Sequence, residues 1–266
     1  MTSDRARARR ARRPRLGGLI ALTLLGLVIH GACGAPAAVP EVSIAPDPLS
    51  IGNDDDGRML MRSPVITHPV HPGFALPYPI DRIYGTFGDC RDRGRRQHRG
   101  LDLGGVGENF GLGTPVRSMA RAEIVLIGRG ADDPARFGRP DTRTGTVERR
   151  GHALPRSATL PVYGTVYFFS RDYGSWRSGD IISTVVIGGP LDGHRIRYMH
   201  LAAIHPELQV GDHVEAGQEI GLMGGTAVMN DLPHIHIDIE TPNGVRVDPA
   251  PFLGMEADTR TCGRQR

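Results

Sequence analysis

The stretch PHIHIDIE, Pro233 to Glu240, decides the reading of the whole chain. Two histidines, an aspartate and a glutamate alternate with three isoleucines. Successive side chains of a β-strand point to opposite faces, and β-branched residues favour strands. The alternation therefore predicts a strand with Ile235, Ile237 and Ile239 against a core. His234, His236, Asp238 and Glu240 then share the other face, with neighbours ~6.6–6.8 Å apart along the strand. Two imidazoles at that spacing can serve one small site, such as a metal ion and its water. The competing reading is an amphipathic strand whose polar face is merely solvated.

Composition supports a β-rich chain. Glycine and proline number 36 and 21 of 266 residues, about a fifth of the chain against roughly 12% in average proteins. Short apolar runs (DRIYGTF, TPVRSMA, AEIVLIG, IISTVVIG, HRIRYMHL, EIGLMG and HIHIDIE) are separated by Gly, Pro and Asp. That rhythm predicts an antiparallel β domain with hairpin connections and no βαβ alternation. Residues 130–180 interrupt it. They are rich in Arg and Asp and hold the aromatic cluster PVYGTVYFFSRDYGSW with the single tryptophan, Trp176. They read as an excursion inserted into a hairpin, either walling a substrate groove or forming a surface insertion with its own hydrophobic patch.

The net charge of +3 is set by the N-terminus. Residues 1–16 hold seven of the 32 basic residues and one of the 29 acidic ones, so the remainder carries 25 against 28, net −3. The basic balance is thus no sign of nucleic-acid binding. The segment itself, RARARRARRPR followed by LGGLIALTLLGLVI and GACGAPAA, has the form of an export signal. Its apolar run is shorter than the ~20 residues of a membrane span. Cys33 follows Gly31-Ala32 as in a bacterial lipobox, with His30 where that motif prefers an aliphatic residue. A lipid at Cys33, cleavage nearby and a retained signal anchor are the three readings. The expected organisation is a signal over 1–33, a linker or extended arm over 34–73, a main β domain over 74–255 and a tail over 256–266. In an oxidising compartment, Cys90 and Cys262 are expected to pair. Within the arm, NDDDG (53–57) lacks the rest of a calcium loop, and His68 and His71 sit among prolines in a loop.

Three further segments bring histidines. HRGLDLGG holds His98 and Asp102 around Gly100, RYMHL holds His200, and PHIHIDIE supplies His234 and His236. Catalytic zinc usually takes three protein ligands and keeps a fourth position open, so five such residues leave two for chemistry. H-x-G-x-D, then Y-x-H-L, then H-x-H in this order resembles the lysostaphin/LytM-type zinc metallopeptidases, peptidase family M23. GTPVRSMARAEIVLIG, VGDHVEAGQEIGLMGGT and VRVDPAPFL resemble the family's flanking segments. The resemblance spans roughly residues 75–254. It departs from the family where HIHIDIE replaces H-L-H-F-E and in the loop GGTAVMNDLPH.

The resemblance implies a mainly β, antiparallel peptidase domain of the duplicated-hybrid-motif type. It implies one Zn2+ held by His98, Asp102 and His236, with His200 and His234 as catalytic histidines. Asp238 and Glu240 either orient the ligands or solvate the strand face. The implied activity is hydrolysis of peptide cross-links in bacterial peptidoglycan by metal-activated water, in the periplasm or cell envelope. No nucleic acid is implied as a partner, and a membrane only through the N-terminus. The alternative is a non-hydrolytic relative that binds and activates other wall hydrolases. Two other classes are excluded from the residues. There is no H-E-x-x-H helix for a zincin, and no lysine anywhere in the chain for the biotinyl or lipoyl carrier that VGDHVEAGQEIG resembles.

Overall fold

The computed structural model describes Pro77, residues 80–91 and residues 96–256. The export signal, the 34–73 arm with NDDDG, His68 and His71, and both Cys33 and Cys262 lie outside these residues. Cys90 is disulfide-bonded, so its expected pairing with Cys262 concerns a partner outside them too. No helix among the described residues is long and apolar enough to cross a membrane.

The strand expected from HIHIDIE runs Ile235–Glu240 and lies inside a ten-stranded sheet. On one side it pairs with Leu101–Gly105, which pairs in turn with Ile80–Gly85. On the other side it pairs with Arg195–Ile204, followed by Asp180–Val186, Ala122–Gly128 and the short His213–Val214. Glu219–Met223 branches from the end of Arg195–Ile204 and carries Pro115–Arg117. Each of these pairings is antiparallel, as the short runs and frequent turn residues predict.

Period-two alternation builds the core. Ile235, Ile237 and Ile239 are all fully buried. Their cross-strand partners Leu103, Leu101, Tyr198 and Ile196 are buried beside them. Burying such side chains stabilises the fold by about 1.5–3 kcal/mol each. Tyr198 carries a hydroxyl into this core, where it accepts the Met119 amide at 2.7 Å.

The excursion is an insertion between neighbouring strands. Ala122–Gly128 and Asp180–Val186 pair directly, and residues 129–179 join them. These residues form a short helix, Pro134–Phe137, capped by the Asp133 side chain on the Arg136 amide, and two hairpins. The segment has its own hydrophobic patch, as one of the two expectations held. Val147, Leu154, Val166, Phe168 and Phe169 form a second core, closed by Ala202 and Leu222 from the sheet. Tyr173, Trp176 and Arg177 from the same segment line a cavity on the polar side of the histidine strand. Asp141, buried with Arg143 bidentate on its carboxylate at 2.7 and 2.8 Å and Arg156 also bonded to it, ties the segment together.

Asp180 begins the strand that closes the insertion. The residue is half-buried, but its carboxyl is enclosed and takes the Gly130 amide at 2.8 Å. Burial pushes this carboxyl up to about 7, against the lowering effects of that amide and Arg129. The folded chain therefore holds a proton that the unfolded chain releases near pH ~3.9. Stability present below pH ~4 is lost as the pH rises through 7. Asp180→Asn keeps the acceptor and removes the charge. Its stability relative to wild type is expected to improve by up to about 4 kcal/mol between pH ~4 and ~8, measured by urea unfolding at both pH values. An unchanged difference would contradict the argument.

Candidate metal centre

Antiparallel register creates the centre. His236 lies directly opposite Asp102 on one neighbouring strand and Met199 on the other. Directly opposed residues share a face, so these three side chains project together, away from the isoleucine core. His98 lies four residues before Asp102, just ahead of the strand. Gly100 sits between them because the His236 ring covers it. A Cβ there would lie 2.6 Å from His236 Nε2 and collide with the Ile237 carbonyl.

The three candidate ligands converge. Asp102 Oδ1 lies 3.1 Å from His98 Nε2 and 2.8 Å from His236 Nδ1, and those two nitrogens are 3.0 Å apart. The ligand atoms of His98, Asp102 and His236 all fall within 4.8 Å of one another. Backbone contacts fix the rings. His98 Nδ1 donates to the Thr86 carbonyl at 2.8 Å, which leaves the Nε2 lone pair facing the cluster. His236 Nε2 lies 3.8 Å from Asp238 Oδ2, so a proton on that side leaves Nδ1 for the cluster. Two imidazole nitrogens and a carboxylate oxygen form a donor set that fits zinc.

His200 and His234 stand beside this group. Their rings are 5.1 Å apart, and His200 is 6.1 Å from the ring of His236. His234 Nε2 lies 3.8 Å from Asp102 Oδ1. His234 Nδ1 donates to the Leu232 carbonyl and His200 Nδ1 to the Thr226 carbonyl, each at 2.8 Å. Simple alternation does not bring His200 here. Tyr198 faces the core and Met199 the site, so His200 is due to face the core again. Between Tyr198 and Leu201 the register with Asp180–Val186 slips, and His200 adopts φ +66°. This β-bulge turns its ring to the site. All five histidine and aspartate positions identified in the sequence line one cavity of about 880 Å³.

The polar face of the histidine strand is not a solvated one. Asp238 is completely buried. Its carboxylate accepts Arg197 Nε at 2.6 Å and a guanidinium N–H of Arg246. Glu240 binds the same two arginines at 2.6 and 3.2 Å. This four-residue network holds Asp238 beside His236, which favours its orienting role.

Electrostatics separates the histidines. Burial works to raise the Asp102 carboxyl, but the charges of His98 and His234 and the hydrogen bonds from His236 and His98 hold it well below its ordinary value. Burial also opposes a charge on His236, yet hydrogen bonds to Asp102 and Asp238 raise it to about 9. Burial, helped by His234 and His236, pushes His200 down to about 3. Burial lowers His234 as well, partly countered by Asp102. His200 and His234 are therefore neutral at pH 7.

Several partners were not identified in the sequence. Thr86 and Thr226 act through backbone carbonyls, which carry no side-chain signal. Arg91, at the end of Cys90–Arg91, donates from Nη2 to Asp102 Oδ2 at 2.6 Å. It reaches that oxygen through the gap left by Gly85, which lies opposite Asp102 in the register; a Cβ at Gly85 would occupy the position of Nη2 and lie 2.8 Å from Asp102 Oδ2.

The profile of peptidase family M23 matches residues 161–249, the part of the chain that contains His200, His234 and His236. Glycyl-glycine endopeptidase ALE-1 of Staphylococcus capitis is 43% identical over 63 residues. That match takes in 23% of this chain and 17% of the relative's length. The catalytic domain of lysostaphin from Staphylococcus simulans aligns at 22% identity with a TM-score of 0.39, over 64% of this chain and 90% of that domain. A zinc-containing peptidase from Vibrio cholerae aligns at 19% identity with a TM-score of 0.38, over 71% of this chain and 41% of that one.

With Arg91 occupying one oxygen, Asp102 presents only the other to the cluster. Arg91→Ala is expected to weaken zinc binding about 10–100-fold, the usual effect of losing a group that orients a ligand. Gly85→Ala is expected to do the same by displacing the guanidinium. Competition with a chromophoric chelator measures both. Wild-type zinc affinity in Arg91→Ala would refute the assignment.

Proposed function

We propose that this chain, an M23-type sequence with a LytM-like β fold, is a zinc-dependent endopeptidase that hydrolyses peptide cross-links of bacterial peptidoglycan. In this reading His98, Asp102 and His236 hold the metal, and His200 and His234 perform proton transfer and charge stabilisation. One observation carries it. Two histidines beyond a complete three-ligand set face the same cavity, each with Nδ1–H fixed on a backbone carbonyl. A metal that only stapled the fold leaves both unexplained.

Zinc, when bound, lowers the pKa of a water towards ~7 and polarises a carbonyl oxygen. The protein's own groups supply the rest. Neutral His200 and His234 each present a lone pair at Nε2, so either can accept the proton of an attacking water. The ring that has taken the proton becomes a donor, able to stabilise the oxyanion of the substrate or protonate the leaving amine. Burial leaves both rings unprotonated at neutral pH, so each has its lone pair free. Met199, Ala227, Val228 and Met229 contribute apolar contacts to a largely polar cavity.

The N-terminal sequence supports action outside the cytoplasm, in the periplasm or cell envelope, with a lipid at Cys33 or a retained signal as the means of attachment. The alternative, a regulator that binds and activates other hydrolases, is disfavoured by the filled ligand set.

The test is hydrolysis of purified sacculi by zinc-loaded protein, with muropeptides resolved by mass spectrometry. Cross-linked dimers are expected to disappear with wild type. His234→Ala and His200→Ala are each expected to slow the loss at least ~100-fold. Unchanged muropeptides from folded, zinc-bound wild type would overturn the endopeptidase reading in favour of the regulator.

A further inference from the structure

We infer that the cavity selects peptides bearing free carboxylates, and that Arg99 and Arg177 read them. The inference rests on the endopeptidase reading and names the chemistry of its substrate.

The charges facing the cavity are unevenly satisfied. Three carboxylates line it: Asp102, Asp231 and Asp238. Each already has an arginine. Asp102 has Arg91, Asp231 has Arg150 at 2.8 Å, and Asp238 has Arg197 and Arg246. Arg99 and Arg177 line the same cavity and are exposed, and neither has an acidic partner among the described residues. The field left over is positive. A neutral peptide gains nothing from it, whereas a carboxylate gains a charge-assisted and potentially bidentate bond.

Both residues adjoin the centre through the backbone. Arg99 directly follows His98. Arg177 precedes Ser178, whose carbonyl accepts the His200 amide at 2.8 Å. Each is thus tied by a residue or two of backbone to a different histidine of the centre. Arg177 also holds a left-handed backbone, φ +57°, which is costly for a residue with a side chain. Such strain concentrates at ligand clamps. Its guanidinium lies 5.5 Å from the Tyr173 ring, and Tyr173 and Trp176 stand exposed beside it.

The sequence repeats the asymmetry. Residues 129–179 carry nine arginines and five acidic residues, whereas residues 17–266 as a whole are net −3. The inserted segment is therefore net positive on an otherwise acidic chain, and Arg177 is the arginine it contributes to the cavity. Attraction of anionic ligands follows from such a local field.

The test compares a cross-linked peptide dimer with free carboxylates, the same dimer with its carboxylates amidated, and a pentaglycine peptide. For wild type, kcat/KM is expected to favour the free dimer over its amidated twin by about tenfold or more, and the ratio to shrink at high salt. In Arg99→Gln/Arg177→Gln the ratio is expected to fall towards one, with zinc content and thermal midpoint monitored to confirm an intact fold. Equal cleavage of the twins by wild type, or an undiminished ratio in the double variant, would overturn the inference. If none of the peptides is cleaved, the endopeptidase reading fails instead. Fluorescence anisotropy of the labelled dimers on zinc-loaded His234→Ala protein then decides the inference by itself. Tighter binding of the free dimer, lost in the arginine variants, supports it; equal binding of the twins refutes it.

Discussion

The pairing of His236 with Asp102 across neighbouring antiparallel strands is the constraint on which the site depends. A one-residue slip would turn every polar group of Ile235–Glu240 into the core and every isoleucine out of it. The isoleucines prevent that slip. Ile235 and Ile237 fit against Leu103 and Leu101, and the same register sets the imidazole against the carboxylate. Core packing and the convergence of His236 with Asp102 are thus two consequences of one alignment. The hydrophobic face locates the strand, and the polar face inherits its position.

Much of this was legible in PHIHIDIE. Period two predicted the strand, its buried face and a second face able to gather two histidines. The motif around Gly100 was legible as well, and the structure adds its reason, since the His236 ring leaves no room for a Cβ. Other features had no pattern to reveal them. His200 reaches the site because a bulge reverses its expected face, and a bulge is fixed by pairing between distant strands. Arg91 reaches Asp102 through a gap made by Gly85, a contact between three segments that no local spacing encodes. Asp238 looked equally suited to solvent. Its complete burial follows from Arg197 and Arg246, which approach from two other strands.

The centre also shows how buried charge is tolerated. A lone carboxylate in such a place would be protonated rather than ionised. Asp102 and Asp238 instead each lie between an arginine and His236. His236 is held by two carboxylates, whereas His200 and His234 receive carbonyl contacts and little compensating charge. Rings of one chemical type therefore carry opposite proton preferences within one cavity. The separation arises from second partners, several of them backbone carbonyls.

The insertion joins two strands that are already hydrogen-bonded neighbours, and it brings a core of its own. Its two ends are held together whatever lies between them. Closing a longer or shorter loop across that fixed gap changes the entropy only slowly with length. The wall of the cavity can therefore be rebuilt, in residues 129–179, without altering the register that assembles the histidines. In evolutionary terms, the part of the wall that comes from the insertion is free to vary while the strands that carry the histidines stay fixed.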